Sequence, residues 1–320
     1  MSTSSDSVGS SKIIDYRVRA AKQIERRIIA EMLNQLVLLN GGPARYRYIG
    51  MGSVAFMDFQ LFHRVVGLEN MLSIEHEQHA ERAEFNKPLA CIEVVPGDVH
   101  DVLPTLDLTG LPILWLDYDG KLKDRMVDDV AVCARVLEKG AVLMVTVNCE
   151  SGNNPRAETD LIRKLLDRSR IPTGFSARNL KGWDYAKFIR STLTAELEAE
   201  ISVRNKGKAP KDRLLFRQFM FFTYRDNARM CTLGWVFDTE NGNNILESSK
   251  LDELEAYRPG EDHFLIKPPV ITPVETRHVN RQLPSVAGTE LTCPGLSESE
   301  LKEYAKLYRH YPVFYEVTEA

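Results

Sequence analysis

The chain has 320 residues, and its 43% hydrophobic and 27% charged residues are typical of a globular protein with a sizeable core. It contains no apolar run of roughly 18 residues, which excludes a transmembrane helix and predicts that the protein does not interact with a membrane. Five scattered cysteines without a CxxC pair predict a reducing, cytoplasmic setting. The net charge of −4 excludes a general nucleic-acid footprint, although segments 12–47 and 181–229 each carry +5.

The amino-terminal part predicts a tail and one helix. Residues 1–11 are Ser-rich and predict a disordered tail. Over 15–40 the apolar residues recur at steps of three and four, which predicts an amphipathic helix. The polar side of this helix carries three basic residues, Arg19, Lys22 and Arg26. This stripe is either a solvated face or a lid over the sheet edge, in which Arg19 and Lys22 face the carboxylate of a bound cofactor or an anionic substrate.

The next part of the chain alternates between strand-like and helical patterns, which is typical of βαβ units. The five strand-like runs are 45–49, 71–74, 91–95, 113–116 and 141–147. Two further runs, 216–224 and 228–237, predict an antiparallel pair. The sequence therefore predicts an α/β, Rossmann-like, seven-stranded mixed sheet, with five parallel strands, an antiparallel sixth/seventh pair and helices on both faces.

Four segments follow from these patterns. They are a disordered tail (1–11), an amino-terminal amphipathic helix (12–43), a main α/β domain (44–240) and a carboxyl-terminal annex (241–320). Ser297 and Glu300 form a capping-box pattern that opens a final helix within the annex. No pattern selects an oligomeric state.

Polar and small residues follow four of the predicted strands. The first strand leads into a glycine-rich turn, Gly50-Met51-Gly52-Ser53, and the second ends at Glu75. The third leads into Asp98, and the fourth into Asp117-Tyr118-Asp119. Because the carboxyl ends of parallel strands meet at one sheet edge, we expect these residues to line one ligand site.

These motifs resemble those of class I S-adenosylmethionine-dependent methyltransferases over about residues 45–237. The resemblance implies that Gly50 and Gly52 contact the methionine part of the cofactor, Glu75 the ribose and Asp98 the adenine. The implied cofactor-binding set is Gly50, Gly52, Ser53, Glu75, His76, Asp98, Val99 and Asp117. One departure concerns the acid that the family carries two residues before its first loop glycine, because Tyr48 stands there.

A second resemblance covers most of the chain and is to a prokaryotic O-methyltransferase group without a defined substrate. The matching motifs are the helix residues Tyr16, Arg17, Arg19, Lys22, Glu25 and Arg26, and the segments 48–53 and 115–120. It implies methyl transfer to an oxygen of a small molecule or nucleotide.

The catalytic and acceptor-binding residues follow from the fourth strand and the first helix. Asp117, Asp119 and Lys121 are the predicted catalytic residues. Arg19, Lys22 and Tyr118 are the predicted substrate-binding residues. The segment after the fourth strand also resembles that of metal-dependent O-methyltransferases, but Asp117 and Asn148 form only part of the oxygen ligand set that Mg²⁺ needs, so a metal-free site is favoured.

Two alternatives stay open. The turn also fits the GxGxxA variant of the dinucleotide fingerprint, which predicts an NAD(P)-dependent oxidoreductase. The 216–237 strand pair and the acids at Asp98 and Asp117 argue against it. Tyr48 instead motivates a non-catalytic binding protein that kept the fold and binds nucleic acid through its basic segments, a partner that the modest charge does not favour.

Overall fold

The structure is a computed structural model that describes residues 19–240, 244–285 and 290–312. The strands are β1 (Tyr46–Gly50), β2 (Met71–Glu75), β3 (Ile92–Pro96), β4 (Leu111–Lys121), β5 (Val142–Asn148), β6 (Leu214–Arg225), β7 (Arg229–Thr239) and β8 (Phe264–Ile266). The helices are α1 (Ala20–Leu39), α2 (Met57–Val66), α3 (Glu77–Asn86), α4 (Val99–Val102), α5 (Asp124–Val136), α6 (Pro155–Leu165), α7 (Asp184–Arg204), α8 (Ile245–Ser249), α9 (Pro273–Asn280) and α10 (Glu298–Leu307). The predicted tail, Tyr16 and Arg17 lie outside the described residues.

All eight strands form one sheet in the order β3-β2-β1-β4-β5-β7-β6-β8. β7 is antiparallel to both of its neighbours, whereas every other pair in the sheet is parallel. The predicted Rossmann-like mixed sheet is therefore confirmed, with eight strands instead of seven. This order places the carboxyl ends of β1, β2 and β4 side by side, where an open α/β sheet binds its ligand.

Both faces of the sheet are covered, which explains the nearly continuous apolar character of β4 and β5. Alternate residues of β4 enter different cores, since Leu114 packs on the face covered by α5 and α7, and Trp115 on the opposite face with α1 and α2. A parallel strand buried on both sides cannot show the polar alternation of a half-exposed strand.

The carboxyl-terminal region contributes to the second of these cores. β8 extends the sheet by pairing with β6, and Phe264 and Ile266 are buried with residues of α1. Leu246 of α8 and Leu307 of α10 join the same cluster. The predicted capping box of the final helix is present, with Ser297 as the N-cap of α10.

Helix α1 is more deeply buried than its amphipathic pattern predicts. Its apolar face packs on α2 and the sheet, and Lys22, Glu25 and Arg26 on its polar side are buried as well. The interpretation of this stripe as a solvated face is therefore wrong. Within the described residues, no helix combines the length and the apolar character needed to cross a membrane.

Candidate active site

A cavity with two adjoining parts opens at the carboxyl edge of the parallel strands. We call them the main hollow, of about 460 Å³, and the side hollow, of about 290 Å³. The main hollow lies between α1, the loop after β1 and the ends of β2, β4 and β6. The side hollow lies between the ends of β3 and β4 and the starts of α4 and α5. Residues bordering both are Met51, Ile74, His76, Tyr118 and Asp119.

The structure brings most of the predicted site residues to these two hollows. The main hollow is bordered by Arg19, Lys22, Gly52, Ser53, Glu75, His76, Asp117, Tyr118 and Asp119. Those bordering the side hollow are His76, Asp98, Val99, Tyr118 and Asp119. Gly50, Lys121 and Asn148 border neither hollow.

The glycines of the turn after β1 are needed because of groups of the protein itself. A Cβ at Gly50 would lie 2.5 Å from the Tyr48 hydroxyl, and a Cβ at Gly52 would lie 2.5 Å from the Phe56 ring. Ser53 adopts a left-handed backbone with φ of 53°, which is uncommon for a residue with a side chain. Gly50 therefore allows the turn to pack against Tyr48, whereas Gly52 and Ser53 line the main hollow.

Glu75 is fixed beneath this turn. Its Oε1 accepts hydrogen bonds from the backbone N–H of Ser53 at 2.8 Å and from the Ser73 hydroxyl at 2.6 Å. Burial raises the pKa of Glu75, and these two hydrogen bonds partly offset that rise. The carboxyl group is thus held in one orientation beside the main hollow.

The side hollow has a polar rim. Asp98 caps α4 by accepting the His100 N–H at 3.0 Å, and its carboxylate lies 3.2 Å from the Arg125 guanidinium. Asp129 accepts hydrogen bonds from the Tyr118 hydroxyl at 2.5 Å and binds the His100 ring at 2.8 Å. The Tyr118 hydroxyl is therefore engaged by Asp129, and the residue borders both hollows.

Lys22 joins two acids beside the main hollow. Its ammonium lies 2.8 Å from a carboxylate oxygen of Asp117 and 2.8 Å from one of Glu25. It also lies 4.6 Å from the centre of the Trp115 ring. The Lys22 side chain is 2% exposed and that of Glu25 is fully buried, whereas the Asp117 side chain is 26% exposed toward the main hollow.

The two acids of this cluster differ in pKa. Burial would raise the pKa of Asp117, but Lys22 and the more distant guanidinium groups of Arg26 and Arg19 outweigh it, so the pKa lies below its ordinary value. Burial raises the pKa of Glu25, and Lys22 offsets this only in part. Asp117 is therefore charged at neutral pH.

The β6–β7 turn fixes the start of α1 over the cavity. Arg19, the N-cap residue of α1, provides no side-chain cap. Instead, Asp226 accepts the backbone N–H groups of Ala21 at 3.1 Å and Lys22 at 3.2 Å, and its carboxylate lies 3.3 Å from the Arg19 guanidinium. Asp226 thus caps a helix 205 residues away in the chain.

We expect Asp226→Ala to lower the free energy of unfolding by about 1–2 kcal/mol, because two N–H groups of α1 lose their acceptor. Urea denaturation at neutral pH measures this. Asp212→Ala, which removes an exposed carboxylate from the same basic segment, is the matched control and should leave the free energy unchanged. Equal stability of the two variants would contradict the capping role.

A bulge near the end of β4 separates Lys121 from the predicted acids. Asp117 pairs with Thr146 of β5 and Lys121 with Asn148, so β4 spans four residues where β5 spans two. Such a bulge re-aims the side chains beyond it. The Lys121 ammonium accordingly pairs with Glu158 of α6 and does not reach the main hollow.

The two residues of the less favoured Mg²⁺ hypothesis both have protein partners. Asp117 binds Lys22, whereas Asn148 donates to the Asp119 carbonyl at 3.4 Å and accepts the Glu150 N–H at 2.9 Å. In the part of the chain that the structure describes, no group of three or more His, Cys, Asp or Glu side chains is placed to hold a metal ion.

Sequence reasoning did not select four residues that shape the site. They are Glu25, Arg26, Asp58 and Asp226. Glu25 and Arg26 belong to the amino-terminal helix motif, and Arg26 follows Lys22 by one helical turn, so the pattern contained a signal for both. Asp58 and Asp226 carry no local signal, since their partners Tyr48 and α1 lie on other elements.

Several solved structures resemble the chain at low similarity. The cofactor-bound protein Rv0187 from MTB is 18% identical, with 69% of this chain and 89% of that chain covered and a TM-score of 0.34. The N-methyltransferase NodS from Bradyrhizobium japonicum WM9 is 13% identical, with 67% and 97% covered and a TM-score of 0.36. The O-methyltransferase TomG from Streptomyces achromogenes is 14% identical, with 70% and 91% covered and a TM-score of 0.35.

The family comparison covers nearly the whole chain. No curated protein matches the sequence. A model of the family described as "Putative O-methyltransferase" matches residues 14–319, which include α1, the glycine turn, all eight strands and the carboxyl-terminal helices. The chain therefore belongs to this O-methyltransferase family.

Proposed function

We propose that the chain transfers a methyl group from S-adenosylmethionine to an oxygen of a small-molecule or nucleotide acceptor. The observation that carries the proposal is the oriented Glu75 carboxyl group at the main hollow, next to a second hollow, in a chain of the O-methyltransferase family. The hollows, of about 460 and 290 Å³, are together within the range of about 300–1,000 Å³ that ligand pockets occupy.

The residues at the hollows fit this cofactor. Glu75 is suited to accept hydrogen bonds from the ribose hydroxyls. His76, Asp98 and Val99 border the side hollow, where an adenine ring would lie. The Ser53 hydroxyl is buried without a hydrogen-bond partner among the described residues, and Ser53 borders the main hollow.

When bound, this cofactor would supply a methyl group on a positively charged sulfonium. The acceptor oxygen would attack the methyl carbon in line, with the neutral thioether as the leaving group. Asp119 lies exposed on the rim shared by both hollows, where it can accept the proton of the acceptor hydroxyl. Asp117 is a weaker proton acceptor because Lys22 holds its pKa low, and we assign it the role of keeping negative charge at the cavity floor. Lys121 acts at most indirectly, through Glu158.

Titration calorimetry with S-adenosylhomocysteine, and separately with NAD, tests the cofactor. We expect micromolar binding of S-adenosylhomocysteine alone, weakened about tenfold or more in Glu75→Gln, since hydrogen bonds to a charged group contribute about 1.5–3 kcal/mol. Glutamine keeps the shape of the side chain, so the Ser53 N–H and the Ser73 hydroxyl retain an acceptor.

Glu77→Gln is the matched control, because Glu77 is exposed and borders neither hollow. Its affinity for S-adenosylhomocysteine should equal that of the wild type. Binding of NAD in place of S-adenosylhomocysteine, or binding of neither, would contradict the proposal. Transfer of a labelled methyl group to a panel of hydroxyl-bearing small molecules and nucleotides, with and without EDTA, then identifies the acceptor class and any Mg²⁺ requirement.

All five cysteines are free thiols in the structure. Such an arrangement suits the reducing compartment that the sequence predicts, and a cytoplasmic location stays part of the proposal.

A further inference from the structure

Arg26 carries a buried positive charge that the described residues do not pair. Its side chain is 5% exposed and borders the main hollow. Its Nε and Nη1 atoms are buried, and within the described residues neither has a hydrogen-bond partner. A guanidinium does not lose its proton in a protein, so it cannot relieve this cost by becoming neutral. A buried charge of this kind is stabilised by an anion close to it, which a ligand in the main hollow can supply.

The other two cations of the α1 stripe already have partners. Lys22 binds Asp117 and Glu25, and Arg19 binds Asp226. The stripe therefore does not act as one basic patch. Its first two members fix α1 to the sheet and to the β6–β7 turn, whereas Arg26 presents its charge to the hollow.

Acids lie near Arg26 without forming an ion pair with it in the described part of the chain. The guanidinium contributes to the low pKa of Asp117 and opposes the rise that burial causes in the pKa of Asp58. Asp58 instead accepts the hydroxyl hydrogen of Tyr48. The main hollow is thus bordered by an unpaired cation, Arg26, and by a charged acid, Asp117.

Adjacent positive and negative groups are complementary to a zwitterion. The methionine part of S-adenosylmethionine ends in an α-carboxylate and an α-ammonium group. We propose that Arg26 binds the α-carboxylate of this cofactor, with Asp117 on the side of the ammonium group, an inference that rests on the proposed function. The planar guanidinium is suited to bind a carboxylate through two parallel hydrogen bonds. This arrangement also gives the chain a way to hold the amino-acid end without an acid at Tyr48.

An anionic group of the acceptor is the other possible source of the anion, and two ligands distinguish the sources. S-adenosylhomocysteine carries the α-carboxylate, whereas 5′-methylthioadenosine has the same nucleoside and sulfur but lacks the amino-acid end. Calorimetric titration of both ligands into wild type and Arg26→Met therefore isolates the contribution of that end.

We expect wild type to bind S-adenosylhomocysteine more tightly than 5′-methylthioadenosine. In Arg26→Met the affinity for S-adenosylhomocysteine should fall about 10- to 100-fold, with the affinity for 5′-methylthioadenosine changed less than about twofold. Arg27→Met is the matched control, because the neighbouring Arg27 donates to the backbone of His310 and Tyr311 and does not border the hollow. It should leave both affinities unchanged.

An equal loss for both ligands would make Arg26 a structural residue and overturn the inference. No loss for either ligand would also overturn it. If Arg26→Met does not fold, Arg26→Lys keeps the charge but not the planar fork, and the same selective loss for S-adenosylhomocysteine is expected at a smaller size. Failure of the wild type to bind either ligand would contradict the proposed function itself.

Discussion

Lys22→Met should be among the most destabilising substitutions at the site, lowering the free energy of unfolding by about 3–5 kcal/mol at neutral pH. Methionine fills nearly the same volume, so the loss is one of charge. Without the ammonium, the fully buried Glu25 and the partly exposed Asp117 lose the cation that they share. Denaturation in urea, followed by tryptophan fluorescence and by circular dichroism, measures the change.

The loss should diminish as the pH is lowered. Lys22 lowers the pKa of both acids, so its removal makes the folded variant bind their protons more tightly than the folded wild type does. Stability linked to a raised carboxyl pKa is present below the ordinary pKa and is lost as the pH rises through the folded-state pKa. The difference from wild type should therefore be larger at about pH 8 than at about pH 5.

Two further variants separate the buried cluster from a general effect of losing a lysine. Lys302→Met removes an exposed ion pair with Glu298 and should leave stability within error of wild type. Lys22→Met combined with Glu25→Gln should recover part of the loss, because one of the two uncompensated acids is gone. If Lys22→Met lowers the free energy of unfolding no more than Lys302→Met does, the ion cluster does not stabilise the fold.

The sheet could be predicted from sequence because its strands are local apolar runs. β1 to β7 all fall on such runs, including the long, doubly buried β4 and β5. β8 was missed because it has only three residues, Phe264–Ile266, with Pro268 and Pro269 just beyond it. A run that short carries no period, and its strand conformation depends on β6 being there to pair with it.

The site could be predicted only where a residue follows its own strand. Glu75, Asp98 and Asp117 lie where the end of a parallel strand puts them. The fate of the α1 stripe could not be predicted, because the groups that cover it come from Asp117 and from the β6–β7 turn, far along the chain. Helical periodicity shows that Lys22 and Arg26 share a face, but not that this face is buried.

Tyr48 shows that sequence patterns miss contacts with other elements. It stands at the position where the methyltransferase resemblance leads one to expect an acidic residue. An acidic side chain does lie near Tyr48, but it belongs to α2. Asp58 is buried and accepts the hydrogen of the Tyr48 hydroxyl. A sequence motif records only the neighbours along the strand. The Tyr48 hydroxyl, which donates to this buried carboxyl group, lies next to Gly50, an arrangement that the motif does not show.

We expect Tyr48→Phe to lower the free energy of unfolding by about 3 kcal/mol at about pH 8, because it removes a hydrogen bond to a buried carboxylate. Burial raises the pKa of Asp58, and the Tyr48 hydroxyl is one of the groups that offset this rise. Without the hydroxyl the pKa of Asp58 rises further, and its protonation then favours the folded state. The loss should therefore shrink as the pH falls from about 8 to 5.

Tyr46→Phe provides the matched control on the same strand. The Tyr46 hydroxyl is also buried, but it donates to the Gly140 backbone carbonyl at 3.2 Å, an acceptor without charge. Burial raises the pKa of Tyr46 to about 12, so the tyrosine itself does not titrate below pH 8. Its removal should cost about 1 kcal/mol at every pH in this range. If the stability losses of the two variants depend on pH in the same way, loss of Tyr48 does not change the pKa of Asp58. If the loss shrinks at low pH only for Tyr48→Phe, Asp58 is the acid whose pKa this tyrosine lowers.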